Sequence, residues 1–167
     1  QGVSSAASDV YKRQALDISR EAVKRACKRA AQLSWLVASM ARVPLADASC
    51  DLLASVFSPL DWAEAKRLLA PGGGLLRMGP TRVHLMELRQ KLYDEVRDYD
   101  DEKHLALIPA GMHLAHSETL LFPLHLADTQ ARADLLAMTP HGWRASAERR
   151  EAVIAEPFEV TVAIRYD

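Results

Sequence analysis

Short apolar runs alternate with segments of helical spacing through roughly the first hundred residues, and this alternation restricts the chain to a parallel sheet covered by helices. The run Ala15-Leu16-Asp17-Ile18-Ser19 comes first. A helix over REAVKRACKRAAQ follows, with Ala22, Val23, Ala26, Cys27 and Ala30 on one face and Ser19 as its cap. LSWLVAS is strand-like. After a loop carrying Pro44, DLLASVF has the composition of a buried strand, and DWAEAKRLLA that of a helix with Leu68 and Leu69 turned inward. LLRM is the next strand, and HLMELRQKLYDEVRDY reads as a long amphipathic helix with Leu85, Leu88, Leu92 and Val96 on its core side. The last third breaks the alternation. ETLLFPLHL is a strand interrupted at Pro123, DTQARADLLAM and AERREAVIA are helical, and FEVTVAIRY alternates as a half-exposed strand near a sheet edge does.

With 167 residues, 49% hydrophobic and 26% charged, the chain suits one globular α/β domain. No apolar run approaches the roughly 18 residues of a membrane span and no signal sequence opens the chain, so a cytoplasmic protein without a membrane partner is expected. Cys27 and Cys50 lack the spacing of a zinc site and are read as buried or half-buried thiols, and no metal is assigned. A net charge of −1 gives no global pull on nucleic acid, so any such contact needs a local patch. Arg20, Lys24, Arg25, Lys28 and Arg29 make the first helix basic; a solvated face is the default reading and phosphate contact the other. The opening QGVSSAASDVYKRQ has no apolar periodicity and resembles translated sequencing-adaptor read-through. Residues 1–14 are therefore set aside as a tail, and 15–167 are taken as the domain.

The run PGGG, residues 71–74, raises the question of a phosphate cradle. A P-loop needs Gly-Lys-Ser/Thr, and a dinucleotide fingerprint needs a strand before its glycines and a helix after them; here the order is reversed. The run reads as a turn, with Gly72 or Gly73 ending the helix in a left-handed cap and Gly74 letting the next strand start close to its neighbour. In open α/β sheets, ligands bind beyond the carboxyl ends of the strands. Asp17, Ser39 with Met40, Phe57-Ser58-Pro59 and the GPTRVH segment ending in His84 all fall there. An acid after a strand can accept ribose hydroxyls, and a small polar residue beside an apolar one can hold an adenine. Asp17 also suits a helix N-terminus, and His84 a solvent-exposed one. Asp61 can cap the following helix or act as a base, while Trp143 and Arg144 can meet a flipped base or anchor the last helix. His113 and His116 lack further ligands and read as exposed loop residues.

LDIS with its helix, VASMARVPLADASCDLLASVFSP, RLLAPGGGLL, GPTRVHLMELRQKLYDEV and MTPHGWRA together resemble the bacterial 23S ribosomal RNA (guanine-N1)-methyltransferases, from Ala15 to the C-terminus. The resemblance implies S-adenosyl-L-methionine as cofactor, 23S ribosomal RNA as substrate and a Rossmann-like class I methyltransferase sheet of order 3-2-1-4-5-7-6 with helices on both faces. It also implies that His84 and Asp17 bind the cofactor, with Ser39, Met40 and Phe57 beside them, and that Ser58, Pro59, Trp143 and Arg144 approach the base. Asp61 is the nearest candidate for the base that removes the guanine proton. Family members carry a zinc module, a first strand and a glycine-rich loop that this sequence lacks, so an incomplete sheet and an inactive fragment are expected. A homodimer is compatible with the resemblance. Two other readings stay open: a small-molecule methyltransferase and a non-catalytic interaction domain on the same scaffold. A nicotinamide-dependent reductase would need a Tyr-x-x-x-Lys pair, which does not occur.

Overall fold

The computed structural model describes residues 12–98 and 100–167; most of the segment set aside as a tail lies outside them. Strands β1 (Gln14–Asp17) and β2 (Ser34–Val37) pair in parallel through the crossover helix α1 (Arg20–Arg29). Gln14, placed by its sequence in the tail, is thus already part of the sheet. Ser19 Oγ accepts from the Ala22 amide at 3.2 Å and starts α1, as its sequence indicated. Because α1 covers only two strands, its buried stripe narrows to Val23, and Cys27 is exposed, contrary to the expected burial.

The second sheet has the order β3-β4-β6-β5, from β3 (Cys50–Val56), β4 (Leu69–Pro80), β5 (Glu118–Leu126) and β6 (Phe158–Tyr166). β3 and β4 are parallel, and β6 is antiparallel to both of its neighbours. These orders fit the expected sheet, with β1 and β3 in separate sheets. β3 was expected to be buried, yet Leu52 is 68% and Val56 54% exposed, because β3 is an end strand covered on one edge only. β6, by contrast, lies one strand in from the edge, with Val160 and Ala163 fully buried.

Pro123 does not interrupt β5. It sits opposite Thr161, whose amide and carbonyl bond away from β5, to Glu87 Oε2 and the Leu85 amide; no ladder bond is demanded of the proline nitrogen. Helices α3 (Met86–Leu92), α4 (Thr129–Met138) and α6 (Ala147–Ala155) close one core with this sheet, built on Leu88, Leu92, Leu126, Leu136, Val153, Phe158 and Val160. Each such side chain contributes on the order of 1.5–3 kcal/mol by leaving water. The short helix α5 (Pro140–Arg144) packs so tightly on the end of α4 that a Cβ on Gly142 would overlap the Leu136 carbonyl.

Two local expectations need correction. The glycines do not cap helix α2 (Trp62–Leu68), which ends at Leu69 in extended backbone. They lie inside β4, at an irregularity where Cys50 pairs with Leu69 but Leu52 with Gly74. Gly72 takes the left-handed conformation (φ +78°) there. Gly73, not Gly74, makes the close approach, since a Cβ on it would come within 3.2 Å of the Ala70, Asp51 and Cys50 carbonyls. Helix α3 is also shorter than its pattern: it stops at Leu92, whose carbonyl accepts from Arg149, while Arg89 bonds the Arg97 carbonyl. These long-range arginine bonds outcompete another helical turn, and Val96 is only half-buried.

Candidate cofactor site at the strand ends

β4 and β6 exchange ladder bonds up to Gly79–Arg165, and the next step is incomplete. The Thr81 amide donates to the Ala163 carbonyl at 3.0 Å, but the Thr81 carbonyl is taken by the His84 amide in a tight turn, also at 3.0 Å. The Ala163 amide, fully buried, therefore needs another acceptor, and His84 Nδ1 lies 3.2 Å from it. Nδ1 is also 3.1 Å from the Ala163 carbonyl, but that oxygen already accepts from Thr81. The imidazole thus replaces a missing ladder acceptor. In its neutral form Nδ1 accepts and Nε2 carries the hydrogen, which makes His84 a donor toward any ligand. Burial holds its pKa below the ordinary value, with the Arg89 charge adding to the effect and the Ala163 carbonyl opposing it.

The Phe57 ring lies against this imidazole, with centroids 5.7 Å apart and planes tilted by 50°. Phe57 has φ +48° and Leu85, one residue after His84, has φ +51°, so left-handed non-glycine residues flank the pair on both chain segments. Such conformations cost about 1–3 kcal/mol each and persist where surrounding structure imposes them, often at sites of function. The Phe57 amide is tied to the Met78 carbonyl at 2.9 Å and its ring is half-exposed. Ser58 and Pro59 continue the loop in solvent. Asp61 caps α2, accepting from the Glu64 amide at 2.9 Å, as one of its two sequence readings required.

A second group gathers at the ends of β1 and β2. Asp17 is exposed, and its Oδ1 accepts from the Ser19 amide at 2.7 Å, which leaves Oδ2 to face solvent. Its carbonyl accepts from Ala38, which leads directly into the turn of Ser39 and Met40, closed by the Arg42 amide on the Ser39 carbonyl at 3.1 Å. That turn is positioned from α2. Buried Glu64 takes the Val43 amide at 2.6 Å, and Arg67 bonds the Val43 and Leu45 carbonyls, Asp47 and Glu64. The Arg67 hydrogen bond, followed by that of the Val43 amide, holds the Glu64 carboxyl down at about 2.

The structure thus brings His84 together with Phe57, and Asp17 with Ser39 and Met40, each pair at carboxyl ends of parallel strands. Trp143 is not a buried anchor. It is 77% exposed on α5, with its indole N–H on the Ala137 carbonyl at 3.2 Å, and Arg144 beside it is exposed. His141, in the same helix, was missed in the sequence. Its Nδ1 is 3.3 Å from the Tyr93 hydroxyl, and burial together with the charges of Arg89, Arg144 and His84 lowers its pKa. Nothing local announces this contact, since Tyr93 and His141 are 48 residues apart. Two open clefts of about 540 and 390 Å³ flank Arg82 and are lined by none of the candidate residues. Among the described residues, no group of three His, Cys, Asp or Glu could hold a metal ion, and no helix is long and apolar enough to cross a membrane.

The fold is a known one. The fold is that of the class I methyltransferases: it matches the YcgJ protein of Bacillus subtilis (TM-score 0.52, 15% identity, 93% of this chain and 82% of that one). It also matches a Bacillus halodurans C-125 protein described as a methyltransferase (TM-score 0.57, 13% identity, 92% and 80%). The family described as a methyltransferase domain matches residues 2–77. More particularly, the chain is a relative of proteins named for 23S rRNA (guanine-N1) methyl transfer. It is 36% identical to YxjB of Bacillus subtilis strain 168 over 80% of its own length and 48% of that protein's. It is 34% identical to a Micromonospora griseorubida protein (90% and 52%) and 31% identical to the 23S rRNA (guanine(748)-N(1))-methyltransferase of Streptomyces fradiae (90% and 55%). The chain spans about half the length of these relatives.

Proposed function

We propose that this chain serves an enzyme that transfers a methyl group from S-adenosylmethionine to N1 of a guanine in 23S ribosomal RNA. The observation that carries the reading is that three relatives, 31–36% identical, are each named for this one reaction. The strand-end residues fit an adenosine-bearing cofactor chemically. Asp17 offers a carboxylate oxygen to ribose hydroxyls, Ser39 and Met40 a polar and an apolar contact for adenine, Phe57 an apolar wall and His84 Nε2 a fixed donor. Bound there, the cofactor supplies an electrophilic methyl group on a sulfonium.

What the chain contributes is alignment and exclusion of water. Phe57, Ser58 and Pro59 form the loop next to which the base would lie, and exposed Trp143 and Arg144 offer stacking and hydrogen-bonding to an unstacked guanine. Guanine N1 carries a proton at neutral pH that must leave. With Nε2 protonated, His84 is a donor and not that base, so the Asp61 carboxylate remains the candidate base, its Oδ1 already engaged by the helix it caps. The test joins the chain to the first strand and glycine-rich loop that the family resemblance implies and follows transfer of labelled methyl from S-adenosylmethionine to transcribed 23S RNA, mapped by reverse-transcription stops, because N1-methylguanine cannot pair. A stop at a guanine supports the proposal. Label recovered in a small-molecule acceptor, or cofactor binding with no transfer to guanine, would overturn it.

A further inference from the structure

The charge of this molecule is unevenly distributed. Residues 12–42 carry eight Lys and Arg against two Asp and Glu, although the whole chain has a net charge of −1. Asp94, Glu95, Asp98, Asp100, Asp101 and Glu102 place the opposite charge on the connection between α3 and β5. The positive end centres on α1, where Arg20, Lys24, Arg25, Lys28 and Arg29 are all exposed. Of these five, among the described residues, only Lys24 is in an ion pair, with Glu21 at 2.7 Å. Helical spacing puts Arg20, Lys24 and Lys28 on one row and Arg25 and Arg29 on the adjacent one; Lys24, Arg25, Lys28 and Arg29 turn away from the Val23 face that packs on the sheet, and Arg20 lies nearer its edge. The apolar face is thus occupied, and the outward face offers charge alone.

We infer that the outward face of α1 is a docking surface for the phosphate backbone of RNA. The inference rests on the proposed RNA substrate and deepens it. As the crossover between two parallel strands, α1 runs opposite to them, so Arg20 lies at the strand-end rim beside Asp17, and Arg29 lies about 14 Å away along the helix. An RNA strand following this row is positioned by sequence-independent contacts, and its next nucleotides are carried to the rim where the candidate cofactor site opens. An anionic lipid surface has the same charge but would call for exposed apolar residues on this face, and the α1 face has none.

The test uses the full 167-residue chain, transcribed 23S RNA helices and, as a separate arm, phosphatidylserine vesicles. The variant combines Arg25→Gln, Lys28→Gln and Arg29→Gln, which keep helix-forming residues outside the candidate site. Each phosphate contact contributes about 0.7–0.9 to the slope of log affinity against log salt, so the variant should lose about 2–2.7 of slope. A fourfold rise in salt should then weaken it about 20- to 40-fold less than the parent. An unaltered slope, or loss of vesicle binding with RNA binding intact, overturns the inference. Methyl transfer to guanine with RNA binding that ignores α1 would sink this inference and spare the proposed reaction. RNA binding through α1 with no guanine methylation by the enzyme restored with its first strand and glycine-rich loop would do the reverse.

Discussion

Replacing His84 separates the two tasks assigned to its ring. Asn carries its Oδ1 where His carries Nδ1, so His84→Asn keeps an acceptor for the buried Ala163 amide while removing the Nε2 hydrogen; His84→Ala removes both. Both variants lose the ring contact with Phe57, so their difference isolates the hydrogen bond. A buried donor left unpaired costs about 1–3 kcal/mol. At roughly 2–4 °C per kcal/mol for a domain of this size, His84→Ala should melt about 2–12 °C below His84→Asn. Cofactor affinity should not follow that order. Both variants lack the Nε2 donor, and each should bind S-adenosylmethionine about 2- to 13-fold more weakly than the parent, the equivalent of one neutral hydrogen bond. The pH dependence has a definite sign. The folded-state pKa of His84 lies below its ordinary 6.5, so the unfolded chain takes up the proton first as pH falls. The contribution of His84 is complete above pH 6.5 and declines below it, and His84→Asn should flatten that decline, leaving the part due to His141. Calorimetry across pH and isothermal titration with the cofactor measure both quantities. Equal stability of the Asn and Ala variants would refute the assignment of Nδ1 as acceptor; unchanged cofactor affinity in His84→Asn would refute the role of Nε2.

In the glycine run, Gly73→Ala should destabilise by about 1–3 kcal/mol in urea titration, since its Cβ meets three backbone carbonyls that cannot move aside. Gly74→Ala, with only the Leu52 Cδ1 at 3.5 Å, should be nearly neutral, and the reverse ranking would contradict the placement of the β4 irregularity. Glu64, held at about 2 against an ordinary 4.5, stabilises the fold above pH 4.5 and ceases to do so as pH falls toward 2. Glu64→Gln should therefore show a shallower loss of melting temperature across that window, and an unchanged slope would argue against the Arg67 and Val43 contacts. Arg67→Lys cannot reproduce a guanidinium fork that reaches the Val43 and Leu45 carbonyls together with two carboxylates. Hydrogen exchange should accelerate at the Val43 and Ala48 amides in this variant while the core of β6 stays protected.

What was legible in the sequence was local. Ser19 and Asp61 each cap a helix through their own side chain, within three residues of the amide they satisfy, and those helices begin where these residues indicate; the structure adds the same device at Asp128 and Ser146. What escaped depends on partners far along the chain. The periodicity of α3 continues to Val96, but Arg149 decides where the helix stops, and the glycines of β4 look like a helix cap until Cys50 and Asp51 lie beside them. His84 is the instructive case. Its segment was picked out because it leaves a strand end, yet the chemistry of its ring is set by Ala163, 79 residues away. Successive residues of a strand direct their amides to opposite edges, so a slip of β6 by one position would turn the amide now facing Nδ1 toward β5. The imidazole would lose its donor, and the preference for hydrogen on Nε2 would vanish with it. The register of the last strand therefore controls the hydrogen-bonding character of a side chain at the candidate cofactor site, and substitutions that loosen the β4–β6 ladder should weaken cofactor binding without touching any residue that lines the site.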